Sequence, residues 1–501
     1  MKWAVRWLGA LVLVLGLAFA QQGRLVIATS QDPQSWDPID TFLLAWGMVG
    51  SNIFDGLVDR GTDLKLKPGL ATRWEYRDNG KTLRFTLRSG VRFHNGEPFN
   101  AAAVKFTFDR LLGPEGAKGP QQANYTAIKE ARVVNNLTVD LILERPDPVL
   151  ITKLAGYGAK IVPPQYIKEK GDAFFNTNPV GTGPFRFVSY SKDQQLTLQA
   201  NTTYWGGRPR VQTVVYRFIE EPATRIAELQ AGRVDIAQGV PVAQANVVKN
   251  AATLNLVPVG SPTVNELRFA TDRPPTNNPK VRQAILYAVD RDAIIASILQ
   301  GYGKAIATFQ TDMSFGFDAG LKPYPFDPAK ARALLQEAGV AAGTELEINF
   351  VSTDATNREV VQAVAGYLQA VGFKINLKPY EVGTYFNDII PKNKNGQLYY
   401  MGWGGWTLDY DNTAYLLYRT GEFWNPVFSD KTIDKLLDDQ RATSDQAQRE
   451  KILQQIAKYL YDTAIEMPLY QSVNLWGVNK RVQGFVAPAD DRIRLLTVSV
   501  R

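Results

Sequence analysis

No cysteine occurs in the 501 residues, which excludes disulfides, cysteine nucleophiles and thiolate metal sites. It equally excludes a lipid-anchored bacterial lipoprotein, whose anchor needs a cysteine at the new N-terminus. Histidine is nearly absent as well. The single one, His94, sits in the strand-and-turn stretch VRFHNGEP, so no multi-histidine metal site and no histidine-based nucleophilic triad is available. It reads as a turn residue hydrogen-bonded to backbone. G-x-S-x-G, H-E-x-x-H, G-x-x-x-x-G-K-[ST] and a G-x-G-x-x-G in strand-to-helix context are all missing. Runs of like charge are missing too: the formal net charge of +7 is spread along the chain, and nucleic-acid binding is not expected.

Long apolar runs are confined to the start. Lys2 and Arg6 precede an apolar stretch from Trp7 to Phe19, followed by the small-x-small sequence Ala18-Phe19-Ala20. This predicts an export signal, residues 1–20, cleaved before Gln21. The stretch is shorter than the ~20 residues that span a bilayer. Cleavage leaves a formal charge of +5 and a periplasmic protein with no lipid. With 45% hydrophobic, 11% aromatic and 21% charged residues, the composition is that of a globular protein, and a chain longer than the roughly 250–300 residues one core supports is expected to form two or more domains.

What is present is mixed α/β. Arg24–Thr29 is β-like and ends in a polar turn carrying Trp36; residues 51–60 read as a helix end with Gly56 near its stop. A β-rich block follows, in which Leu83, Phe85 and Leu87 alternate with polar residues after the turn pair Asn79-Gly80, and Asn135-Asn136 joins two further strands. Within it, Asn100 caps a helix with Val104, Phe108, Leu111 and Leu112 on one side. From Gly181 a hairpin opens on GTGPF, and strands then alternate with helices. Asn278 with Pro279 starts a helix buried through Val281, Ile285 and Ala288. Strands at Glu345–Val351 and Lys374–Pro379 follow, and Asp445 with Gln448 forms a capping box before the last long helix.

One stretch stands out, QLYYMGWGGWTLDYDNTAYLLY from Gln397 to Tyr418. Leu398–Trp403 suits a strand, Gly404 and Gly405 break it, and Asp411 or Asn412 is expected to cap a helix through Ala414–Tyr418. That places Trp406 to Asp411 on a loop. Indoles, phenols and carboxylates on glycine-rich backbone offer flat faces with a few oriented charges, as a small-molecule pocket requires. A core strand running into an acidic helix cap accounts for the same residues.

Several segments resemble extracellular solute-binding proteins of the oligopeptide and dipeptide type, which serve ABC importers. They are LATRWEYRDNGKTLRFTLRSGVRFHNGEPFNAAAVKFTFDR from Leu70, GTGPFRF from Gly181, NTTYWGG from Asn201, LQAGRVDIA from Leu229, VRQAILYAVDRDAI from Val281 and IDKLLDDQRATSDQAQREKILQQIAKYL from Ile433. The resemblance implies an α/β, bilobal periplasmic-binding-protein fold of the large type II class with an extra inserted β-rich domain. Lobe I would comprise 21–50, 177–262 and 478–501, the β-rich domain 51–176, and lobe III 263–477. It also implies capture of peptides in an interlobe cleft, hinge closure, delivery to a membrane permease, no cofactor and a monomer.

In that family the loop Trp-x-x-Asp carries the aspartate that pairs with the α-amino group of a bound peptide. The matching residues are Trp406 and Asp409. Candidate ligand-binding residues are therefore Asp409, Trp406, Trp403, Tyr410, Asp411 and Trp36, with Arg358 either displaced into the role of holding the ligand carboxylate or a solvent-facing helix residue. Dipeptide binders of the family carry an arginine near the start of the segment Phe350–Asn357, which here has none, so oligopeptides are favoured over strict dipeptides. An oligosaccharide binder of the same fold, with Trp36, Trp403 and Trp406 stacking on sugar rings, is the alternative. A secreted carboxylate hydrolase using Asp409 and Asp411 is a third reading.

Overall fold

The computed structural model describes residues 23–41 and 43–501, so the expected export signal lies outside the described residues. Among the described residues, no helix is long and apolar enough to cross a membrane. The chain divides into two compact units, the first comprising residues up to Arg145, Lys153–Val259 and Asn474–Arg501, the second Pro146–Thr152 and Gly260–Val473. The long strands Leu254–Phe269 and Glu466–Asn479 each begin in one unit and end in the other. The block 51–176 falls almost entirely within the first unit.

In the first unit, Arg24–Thr29 is the axis of a mixed sheet. It pairs in parallel with Thr213–Phe218 on one side and Ile236–Ala237 on the other. Gln195–Ala200 and Phe185–Ser191 extend the sheet antiparallel. Leu25 and Ile27 pack into a core with Trp46, Phe54, Tyr216 and Trp476. A separate antiparallel sheet has the order Ala71–Arg77, Thr82–Leu87, Thr138–Leu143, Ile128–Asn135. Its alternation holds as read: Leu83, Phe85 and Leu87 are buried, as are Val139 and Leu141. Asn79 takes a left-handed φ of 53° in the turn, where asparagine is tolerated. Helix Ala101–Leu112 is capped by the Asn100 side chain, which accepts from the Ala102 and Ala103 amides.

Residues 51–60 differ from the sequence reading. The helix is Leu44–Gly50, and Val58–Arg60 is a strand paired with Leu66–Pro68. The Gly56 and Leu57 carbonyls accept from the Leu70, Gly69 and Ala71 amides, so this backbone is committed to a partner distant in sequence and is unavailable to a helix.

The second unit is built on Glu345–Val351, parallel to Lys374–Tyr380 and, through Ile348 and Asn349, to Leu398–Gly404. Leu398–Gly404 runs antiparallel to Thr263–Phe269. Leu346, Ile348 and Phe350 share a core with Val360, Val364 and Leu368 of helix Ala355–Ala370 and with Val281 and Ile285 of helix Pro279–Ala288. On a second core of the same unit, Ile433 and Leu437 from helix Lys431–Ala442 meet Leu453, Ile456 and Leu460 from helix Gln446–Asp462. Asn278 caps through the Lys280 amide and Asp445 through the Gln448 amide.

Candidate functional site

The strand Leu398–Gly404 delivers the chain to a loop over Gly405–Asp409, and helix Tyr410–Tyr418 follows. Its cap is Asp409, whose carboxylate accepts from the Asp411 amide at 3.0 Å. This corrects the expected cap at Asp411 or Asn412 and moves Tyr410 and Asp411 from the loop into the first helical turn. The loop is held from outside its own segment: Phe315 donates its amide to the Leu408 carbonyl at 2.9 Å and accepts from the Tyr410 amide at 3.1 Å. Leu408, with φ 54°, sits in the left-handed region that costs a branched side chain energy, and these two bonds keep it there.

Asp409 is 3% exposed. Both of its oxygens are gripped by Arg449 of helix Gln446–Asp462, from Nη2 at 2.6 Å and Nη1 at 2.8 Å. Burial opposes the charge on Arg449, but the adjacent Asp409 outweighs it and holds the guanidinium above its ordinary range. Arg449 Nε donates to Gln440 Oε1 at 3.0 Å, and the Gln440 amide donates to Asp411. Arg441 closes the series with two bonds to Asp411, at 2.7 and 2.9 Å, while its guanidinium lies 3.2 Å from the Tyr415 ring centre. Two carboxylates and two arginines thus form one hydrogen-bonded network, with the charge of Asp147 near both guanidiniums. Arg449, Gln440 and Arg441 were not among the residues singled out in the sequence, since no local pattern marks a partner 40 residues away.

The indoles separate. Trp403 and Trp406 are half-buried. Trp403 meets Trp424 edge-on at 5.8 Å, Trp424 meets Phe386 at 6.2 Å and Phe423 at 5.0 Å, and Phe423 is 60% exposed. The Trp403 Nε1–H is enclosed without an acceptor. Trp36, in contrast, belongs to the first unit and is 0% exposed, edge-on to Tyr190 at 5.4 Å. A stacking platform needs an open face, and Trp36 has none. Tyr410 is 1% exposed with an unpartnered hydroxyl, and burial pushes its pKa well up. Arg358 is exposed on helix Ala355–Ala370 and makes no ion pair among the described residues. Its neighbour Asn357 instead accepts from Tyr400 Oη, which also contacts Asn265 and Tyr470.

Beneath this region lies a buried acidic cluster. Glu466 accepts from the Phe309 amide at 2.9 Å and from the Tyr418 hydroxyl. Glu266, 0% exposed, has Arg268 beside it at 3.8 Å and the like charge of Glu466 near it, and among the described residues neither of its oxygens finds a hydrogen-bond donor. Desolvation pushes its pKa well above the carboxylate range, with Arg268 opposing.

In the first unit His94 is fully committed. Its Nε2–H donates to the Gly183 carbonyl at 2.9 Å and its Nδ1 accepts from the Gly181 amide at 3.3 Å. The pair of bonds fixes the tautomer and ties the hairpin turn GTGP to the β-rich segment.

Comparison with known proteins bears on these features. The profile of bacterial extracellular solute-binding proteins, family 5 Middle, matches residues 65–425. The dipeptide-binding protein of Escherichia coli is 28% identical over 95% of this chain and 94% of its own length. The glutathione-binding protein GsiB of Pectobacterium atrosepticum is 29% identical over 93% and 92%. Among solved structures, HbpA2 from Haemophilus parasuis superposes with a TM-score of 0.86 at 26% identity, covering 95% of this chain and all of that one.

Proposed function

The chain belongs to the bacterial extracellular solute-binding proteins, family 5, and from that premise we propose that it captures short peptides outside the cytoplasmic membrane and passes them to the permease of an ABC importer, without catalysing a reaction on them. The observation that carries the peptide reading is the match, over nearly the whole chain, to relatives named for binding a dipeptide and glutathione. Both ligands are short molecules with amide linkages and a free ammonium group.

Asp409 supports the reading chemically. A carboxylate offers about four lone-pair sites, and Arg449 and the Asp411 amide take three. In this reading the fourth accepts the α-ammonium of a ligand, which requires the 3%-exposed carboxylate to be uncovered when the ligand enters. Arg449 then serves to fix the carboxylate's orientation. Trp403, Trp406 and their aromatic neighbours supply apolar surface for side chains. Since Phe350–Asn357 contains no arginine and Arg358 is exposed, that segment offers no clamp setting one ligand length, which favours a range of oligopeptides over strict dipeptides.

Titration calorimetry with peptides of two to five residues, each free and N-acetylated, tests the reading. Free peptides are expected to bind, and acetylation, by deleting the ammonium, to weaken binding by on the order of 2–5 kcal/mol. Equal affinity for acetylated peptides removes the amine anchor. Binding of neutral oligosaccharides alone would replace peptides with sugars as the solute.

A further inference from the structure

The first unit contains a cavity of about 620 Å³ far in sequence from Asp409, formed where residues 89–96 meet the Thr182 turn, Arg186 and the segment Asn201–Trp205. Three segments singled out in the sequence for their resemblance to a family therefore converge here, and the peptide reading uses none of them. The volume is in the range of small-molecule sites.

Its charged lining consists of Arg92 and Arg186, with no carboxylate. Arg186 is half-buried on the strand Phe185–Ser191. It donates to Asn201 Oδ1 at 3.0 Å and more weakly to Thr203 Oγ1 at 3.4 Å, and its Nε–H is enclosed with no acceptor. Arg92 donates to the Gly96 carbonyl at 2.8 Å. Every one of these partners is neutral. Three other arginines of this unit have carboxylates, Arg84 with Asp140, Arg110 with Asp37 and Arg217 with Glu228, and the buried Arg225 is satisfied by four backbone carbonyls, whereas Arg186 keeps an enclosed Nε–H with no acceptor.

The acids nearby in sequence or bonding are spoken for. Asp55 accepts from the Thr182 hydroxyl, the Tyr204 hydroxyl and Trp205 Nε1 at 2.9 to 3.0 Å. Glu97 accepts from the Gln165 and Tyr166 amides and from Asn95. His94, also in the lining, adds no charge, because both ring nitrogens are bound to the turn.

A guanidinium drawn partly out of water with only neutral partners has an unmet demand for an oxyanion, which its planar fork matches in shape and charge. We propose that this cavity binds a small organic anion whose carboxylate or phosphate group is held by Arg186 and Arg92. The cavity is larger than a bare inorganic ion needs, and its neutral donors and the Trp205 ring contact the remainder of the ligand. The site lies wholly within the first unit and is independent of the peptide reading.

Calorimetry on the full protein at low ionic strength, with citrate, glycerol phosphate and uncharged glycerol as probes, tests this. At least one anion is expected to bind and glycerol not to, with affinity falling as salt is added. Arg186→Gln and Arg92→Gln are each expected to weaken it about tenfold or more, the scale of one hydrogen bond to a charged group. Citrate binding alone assigns a carboxylate ligand, and glycerol phosphate alone a phosphate. Arg92 is exposed, so its variant reports even if Arg186→Gln lowers the melting temperature. Failure of both anions to bind, or binding unchanged in both variants, overturns the assignment.

Discussion

Arg449 meets Asp409 in a two-pronged ion pair, at 2.6 and 2.8 Å, with the arginine 0% and the aspartate 3% exposed. The residue proposed to receive a ligand is thus also the cap of one helix and the counter-ion of another. Binding and stability are coupled at this point.

The first prediction follows from that pairing. Arg449→Met leaves a buried carboxylate without its partner, which costs about 3–5 kcal/mol. Adding Asp409→Asn to the arginine variant restores part of the loss, because no charge then remains to be buried. Urea unfolding of the four combinations reads the coupling directly, and additive effects of the two substitutions would show that the pair is not an energetic unit.

His94 offers a pH prediction that the single-histidine composition makes clean. Burial, with Arg186 assisting and the Gly183 carbonyl opposing, lowers its pKa to about 4. A free histidine titrates near 6.5, so on acidification the unfolded chain gains a proton that the folded one refuses. Stability contributed above pH ~6.5 is therefore lost between ~6.5 and about 4, by at most roughly 3 kcal/mol. The one imidazole signal in the proton NMR spectrum gives the value directly, and a midpoint near 6.5 would contradict the clamp on the GTGP turn.

The buried Glu266 predicts the opposite slope. Its folded pKa is raised by desolvation, so above the unfolded value near 4.3 the unfolded state releases a proton that the folded state retains. Stability then falls as pH rises toward the folded pKa, by about 1.4 kcal/mol per pH unit. Glu266→Gln is expected to raise the neutral-pH unfolding midpoint and to flatten its pH dependence. A destabilised variant with the slope intact would mean that the ionised carboxylate is paired with Arg268.

Gly181 tests the close approach behind the cavity wall. A Cβ there would stand 2.1 Å from the Ile53 carbonyl oxygen, a backbone atom that cannot rotate away. Gly181→Ala is expected to lower stability by several kcal/mol, roughly the upper end of single-residue effects. Thermal melting measures it, and a shift within that of an ordinary surface substitution would show that the turn relaxes freely.

Much of this architecture was legible because its causes are local. The Asn100, Asn278 and Asp445 caps act on amides two or three residues on, and the alternation through Leu83, Phe85 and Leu87 needs only the period of a strand. Even so, local reading failed where a distant partner intervened. The cap of helix Tyr410–Tyr418 is one aspartate earlier than expected, because Phe315 braces Leu408 and Tyr410 from outside the segment. Val58–Arg60 forms a strand because Leu66–Pro68 pairs with it, while the Gly69, Leu70 and Ala71 amides claim the Gly56 and Leu57 carbonyls just before it.

The sequence by itself determined the residue types available, the absence of cysteine and multi-histidine chemistry, the α/β alternation and the segments that point to a family. Only the tertiary structure decided what each candidate side chain touches. It enclosed Trp36, exposed Arg358, and joined Trp403 to Trp424 and Phe423. It gave Asp409 a guanidinium from 40 residues away and left Arg186, among the described residues, with Asn201 and Thr203 rather than a carboxylate. The reason is physical: propensity and capping act over a turn or two of chain, whereas burial and charge pairing depend on which surfaces the folded chain brings together.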